Sequence, residues 1–85
     1  MEIEYSSKFA RQFKKLPKEA KESAVTCEQL FRVNPFDPKL NTHKLHGAMK
    51  DYWAFSISHN YRIGFTFVDG DCVRFHAIGS HNIYQ

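Results

Sequence analysis

The stretch WAFSISHNYRIGFTFVDGDCVRFHA, residues 53–77, decides the fold. Trp53, Phe55 and Ile57 alternate with Ala54 and Ser56. Tyr61, Ile63, Phe65 and Phe67 alternate with Arg62, Gly64 and Thr66, and Val73, Phe75 and Ala77 with Arg74 and His76. A period of two belongs to strands with one buried face. The two interruptions, Ser58-His59-Asn60 and Asp69-Gly70-Asp71, consist of turn formers. The stretch therefore predicts three antiparallel strands joined by two three-residue loops.

Register follows from matching the apolar faces, because a slip of one residue would turn every aromatic to the wrong side. Phe67 is expected opposite Val73, Phe65 opposite Phe75 and Ile63 opposite Ala77; in the other hairpin Ile57 faces Tyr61 and Phe55 faces Ile63. The opposite face then carries Tyr52, Ala54, Ser56, Arg62, Gly64, Thr66, Arg74, His76 and Ile78, with Ser56, Arg62 and Ile78 in one row. Small residues beside two arginines, and no acid among them, predict a shallow cationic surface suited to an anion.

Working back from residue 53, the polar connector from Lys39 to Lys50 is preceded by Asn34-Pro35-Phe36-Asp37-Pro38, which ends a helix. That helix starts near Lys18 and stacks Ala20, Ala24, Cys27, Leu30 and Phe31 on one stripe. Before Pro17, Phe9, Phe13 and Leu16 recur at helical spacing behind a Ser6 or Ser7 cap. Ile3 and Tyr5 alternate with Glu2 and Glu4 in a short first strand. The fold class is α+β, one domain over residues 1–85, with an N-terminal strand and a helical hairpin packed on an antiparallel three- to four-stranded sheet.

The 85-residue chain is 42% hydrophobic and 15% aromatic, enough for one core built from large side chains. Its longest apolar run falls far below the ~20 residues of a membrane span, and the acidic start is unlike a signal peptide. A cytoplasmic protein is expected. Cys27 and Cys72 form no metal-type pair and read as small hydrophobes. The net charge is +3, but Lys8, Arg11, Lys14, Lys15, Lys18 and Lys21 stand against Glu19 alone between residues 8 and 21. That block is either a solvated helix face or a surface for phosphates or an acidic protein.

The five histidines all lie at or beyond residue 43. His43-x-x-His46 and His76-x4-His81 lack the further ligands of a zinc site, so neither metal nor cofactor is expected. Arg62 sits in mid-strand on the cationic face; it either pairs with Asp51 or Asp71, or clamps a phosphate with its planar fork. Cleavage of RNA through its own 2′-OH needs a base for that hydroxyl and an acid for the departing 5′ oxygen. Histidine suits both tasks near neutral pH. His43 precedes the sheet and His81 comes after it.

Three ordered blocks carry a resemblance: His43 to Trp53 (L-x-G-x-x-x-x-Y-W), Asn60 to Phe65 (Y-R-I-x-F) and Ile78 to Tyr84 (I-G-x-H-x-x-Y). Together they resemble the RelE/ParE toxin superfamily, nearest its YafQ- and YoeB-like branches, over nearly the whole chain. The resemblance implies a type II toxin with a cognate antitoxin, cutting mRNA in the ribosomal A site and touching ribosomal RNA. It implies His43 as base, His81 as acid, Arg62 as phosphate clamp and Tyr84 as a stacking or positioning group. Lys44, Lys50, Ser56, Asn60 and Arg74 are the substrate-binding candidates. Ser56 and Asn60 stand where YafQ-like toxins carry a histidine and an aspartate. ParE-like members share the fold but poison DNA gyrase without cleaving RNA, which is the alternative function.

Overall fold

A computed structural model describes residues 1–47 and 51–80. The elements run β1 (Glu2–Tyr5), α1 (Ser7–Lys14), α2 (Lys18–Val33), a 3-10 turn (Pro38–Leu40), β2 (His43–Lys44), β3 (Trp53–Ser56), β4 (Arg62–Asp69) and β5 (Cys72–Gly79). The strands form one five-stranded sheet in the order β1-β5-β4-β3-β2. β1 is parallel to β5, and the other pairs are antiparallel. The α+β class holds, with two corrections. The sheet is wider than expected because the polar connector supplies β2, closed against β3 by the Leu45 N–H to Tyr52 carbonyl bond of 2.8 Å. It is also mixed, because β1 returns beside β5.

Local chemistry explains the helix limits. Ser6 caps α1 by accepting from the Phe9 N–H at 3.0 Å. Leu16 precedes Pro17, which disfavours a helical residue before it, so α1 stops and α2 begins afresh at Lys18. Glu19 in the first turn and Arg32 in the last complement the α2 dipole. Pro35 forces the Asn34 backbone extended and ends the helix.

The stripe on α2 buries Ala20, Ala24 and Phe31 against the sheet. Phe31 is fully enclosed, stacked on Phe55 at 4.8 Å and edge-on to Phe65 at 5.0 Å and Phe75 at 5.5 Å. Burying one such side chain contributes about 2–3 kcal/mol. Phe9 of α1 completes the layer against Phe75 at 5.5 Å.

The register agrees with expectation for Phe67↔Val73, Phe65↔Phe75 and Phe55↔Ile63, and departs from it at two bulges. Between Phe65 and Gly64 the β5 strand holds one extra residue, His76, so that Gly64 faces Ala77, Ile63 faces Ile78 and Arg62 faces Gly79. The insertion exchanges the faces of the next residues of β5: Ile78 enters the core, and Ala77 moves to the opposite side. Nearer the turn, Asp69 pairs with Cys72, leaving Gly70 and Asp71 as the turn in place of a three-residue loop.

Candidate functional site

The sheet face away from the core is assembled in rows. Ser56, Arg62 and Gly79 form one row, and His43, Ala54, Gly64 and Ala77 form the next. Ile78 is therefore not in the Arg62 row, contrary to the sequence-based expectation; the His76 bulge puts Gly79 there. Ala54 and Ala77 are buried, as is Gly64, so the second row is a low floor between longer side chains.

Arg62 begins β4, half-buried, with Ser56 and Gly79 as its strand neighbours. A groove of about 530 Å³ opens beside it, lined by His59, Asn60, Tyr61, Arg62 and Ser80. The structure thus brings Ser56 and Asn60 together with Arg62.

His43 reaches the same face through the turn that precedes it. Asn41 adopts a left-handed backbone, φ 51°, at the end of the 3-10 turn. Its carbonyl oxygen then lies 3.0 Å from His43 Nδ1. A carbonyl only accepts, so Nδ1 carries the proton of the neutral ring and Nε2 is left with a lone pair. Two strand spacings across and two residues along separate the His43 and Arg62 backbones by roughly 12 Å. Side chains of their lengths can meet a phosphodiester between them.

Two other substrate-binding candidates stand apart from this group. Lys44 pairs with Trp53 and so falls on the helix-covered side. Arg74 lies on the open face but roughly 13 Å along β4 from Arg62, opposite Thr66. There it grips Glu4 of β1 through Nε at 2.8 Å and a second nitrogen at 2.6 Å. The face therefore does hold an acid, brought in by the strand whose neighbour the sequence does not reveal. His81, Tyr84 and Lys50 lie outside the described residues.

Three contributors escaped the sequence. Asn41 is one; an asparagine just after a Pro-started turn, two residues before a histidine, was its available signal. Gln12 is another, with Oε1 accepting the Ile78 N–H at 3.0 Å. The third is a His76 cluster, with Nε2 at 2.8 Å from Thr66 Oγ1 and its ring 4.9 Å from that of Tyr52. Burial first, then Arg74 and Lys8, hold the His76 pKa below its ordinary value. Lys8, Arg11, Lys14, Lys15 and Lys18 are all exposed.

Among the described residues no three His, Cys, Asp or Glu side chains are grouped to hold a metal ion. No helix among them is long and apolar enough to cross a membrane.

Compared by sequence, the chain matches no family model and no curated protein. Compared by structure, it superposes on YafQ from E. coli with a TM-score of 0.79 at 20% identity, covering 95% of this chain and 93% of that one. The YoeB/ParE toxin from Agrobacterium tumefaciens gives 0.79 at 15% identity, covering 95% and 99%. A chain of the RelB–RelE antitoxin–toxin complex from Methanococcus jannaschii gives 0.72 at 22% identity, covering 93% and 91%. The architecture is that of RelE/ParE-like toxins, with the YafQ and YoeB structures close to it.

Proposed function

We propose that this protein is the toxin of a type II toxin–antitoxin pair and cleaves mRNA on the ribosome. The observation that carries the reading is the shared open face. It holds a histidine whose Nδ1 is committed to the Asn41 carbonyl, a row away from an arginine beside a groove. In this reading His43 Nε2 takes the 2′-OH proton of the nucleotide before the scissile bond. The 2′ oxygen attacks phosphorus, and Arg62 balances the charge that builds on the phosphorane oxygens. His81 gives a proton to the departing 5′ oxygen, leaving a 2′,3′-cyclic phosphate and a 5′-OH. Ser56 and Asn60 hold the strand against the Arg62 groove, and the low floor of Ala54, Gly64 and Ala77 lets the sugar–phosphate approach the sheet. Tyr84 and Lys50 serve as further substrate contacts. Arg74, engaged by Glu4, works at the outer edge of the face.

The exposed cations of α1 and of the start of α2 dock on ribosomal RNA, where long-range attraction supplies affinity without sequence reading. The partner in the resting state is a cognate antitoxin. Support for it comes from the antitoxin–toxin complex of similar fold, and from an apolar groove of about 420 Å³ lined by Phe9, Phe13 and Val25 with Lys14 at its side.

Primer extension on mRNA bound to ribosomes tests the reading. The parental protein is expected to produce discrete truncations, and Arg62→Ala to reduce them by at least ~100-fold, as for loss of a transition-state donor. Intact mRNA together with inhibited DNA gyrase supercoiling would overturn it in favour of a gyrase poison.

A further inference from the structure

The outer edge of β5 changes partner halfway along. Parallel β1 covers it from Cys72 to Phe75 and then leaves, at Tyr5. The chain turns into α1, and two side chains take up the backbone groups that β1 abandons. Ser6 Oγ donates to the His76 carbonyl at 2.9 Å, and Gln12 Oε1 accepts the Ile78 N–H at 3.0 Å. Gln12 is half-buried on the same helix as Phe9 and Phe13, which pack in and against the core, and its amide can serve the Ile78 N–H only with the oxygen turned toward the strand. The residue it pins is one before Gly79, which faces Arg62, and two before Ser80, which lines the Arg62 groove.

We propose that Gln12 is a positioning residue: by holding β5 at Ile78 after β1 has ended, it sets Gly79 opposite Arg62 and Ser80 in the wall of the groove. This rests on the reading of that groove as the substrate site. The bulge at His76 makes such a clamp necessary. An extra residue weakens the ladder between β4 and β5 just where β1 withdraws. Without an acceptor at Ile78, the last residues of β5 would be held from the β4 side alone.

Gln12→Leu removes the acceptor at similar volume, and Gln12→Glu restores one. In Gln12→Leu the Ile78 amide is expected to exchange with solvent about tenfold faster, with Phe65 and Phe75 amides unchanged. The Arg62 Nε–H resonance is expected to shift. On mRNA-loaded ribosomes kcat is expected to fall roughly 10- to 100-fold at unchanged KM, the usual cost of misplacing a reacting group. Gln12→Glu is expected to recover the exchange rate and most of the kcat. Unchanged Ile78 exchange in Gln12→Leu would overturn the clamp. Faster exchange with parental kcat and an unmoved Arg62 resonance would reduce the contact to packing. If the parental protein cleaves nothing, the nuclease reading fails by itself. The clamp then stands or falls on whether the Arg62 resonance moves in Gln12→Leu.

Discussion

The carbonyl oxygen of Asn41 lies 3.0 Å from Nδ1 of His43, so that in the neutral ring Nδ1 is the donor and Nε2 the acceptor. The contact depends on the left-handed backbone of Asn41, φ 51°. Glycine adopts that conformation freely, whereas a β-branched residue pays about 1–2 kcal/mol for it. Asn41→Gly is expected to leave urea stability within ~1 kcal/mol and cleavage within about twofold of the parent. Asn41→Val is expected to lose both stability and roughly tenfold in cleavage as the ring loses its acceptor. Equal cleavage by the two variants would show that the carbonyl does not orient His43.

Phe31 is the centre of the helix–sheet contact, fully buried among Phe55, Phe65 and Phe75. Phe31→Ala is expected to cost about 3–5 kcal/mol in chemical unfolding, from lost transfer energy and the cavity left behind. Phe36, 52% exposed, makes ring contacts with Trp53 and Phe67 at the rim, and its replacement by Ala is expected to cost roughly 1 kcal/mol. Comparable losses would mean that the core centre has been misassigned.

His76 makes stability depend on pH. Its pKa in the folded protein is lowered by burial, then by Arg74 and Lys8, from an ordinary value of 6.5. Below 6.5 the unfolded chain takes up a proton that the folded one resists, so unfolding gains. The His76 contribution is whole above that value and is lost as pH falls through the lower folded pKa. Thermal melts are expected to show Tm declining from about pH 7.5 to 5.5. His76→Gln, which keeps a partner for Thr66, is expected to flatten the decline. An identical slope in the variant would assign the effect to other groups.

His81 is proposed to protonate the 5′ oxygen. His81→Ala is then expected to lower cleavage by roughly 10²- to 10⁴-fold. A substrate with sulfur in place of that oxygen needs little protonation, and the variant is expected to regain most of its rate on it. His43→Ala is not. Failure of the sulfur substrate to rescue His81→Ala would move the acid elsewhere.

Much of the fold is legible in the alternation of residues 53–77 and in the Phe31 stripe, because period and burial are local properties of the chain. The missed features are those in which distant segments meet. β1 reads as a strand, but nothing in Glu2–Tyr5 names β5 as its neighbour, and so the Glu4–Arg74 pair was invisible. The bulge at His76 defeats simple parity: Ala77 and Ile78 both suit a buried place, and only the larger side chain joining the core cluster reveals the extra residue. Arg62 and His43 could be picked out as residue types at spacings that resemble a toxin family. That His43 falls one row from Arg62, and that Ile78 hangs from Gln12, requires β2 and α1 to be in place.

In the proposed reaction the 2′ oxygen of the message itself attacks the phosphorus between His43 and Arg62. This attack is tested most directly by a ribosome-bound mRNA carrying a single 2′-deoxynucleotide immediately before the cleaved bond. Cleavage at that bond is expected to disappear while the all-ribose message yields a 2′,3′-cyclic phosphate and a 5′-OH end. Cleavage of the deoxy-substituted bond at the parental rate would contradict it, since the nucleophile would then be water or a side chain.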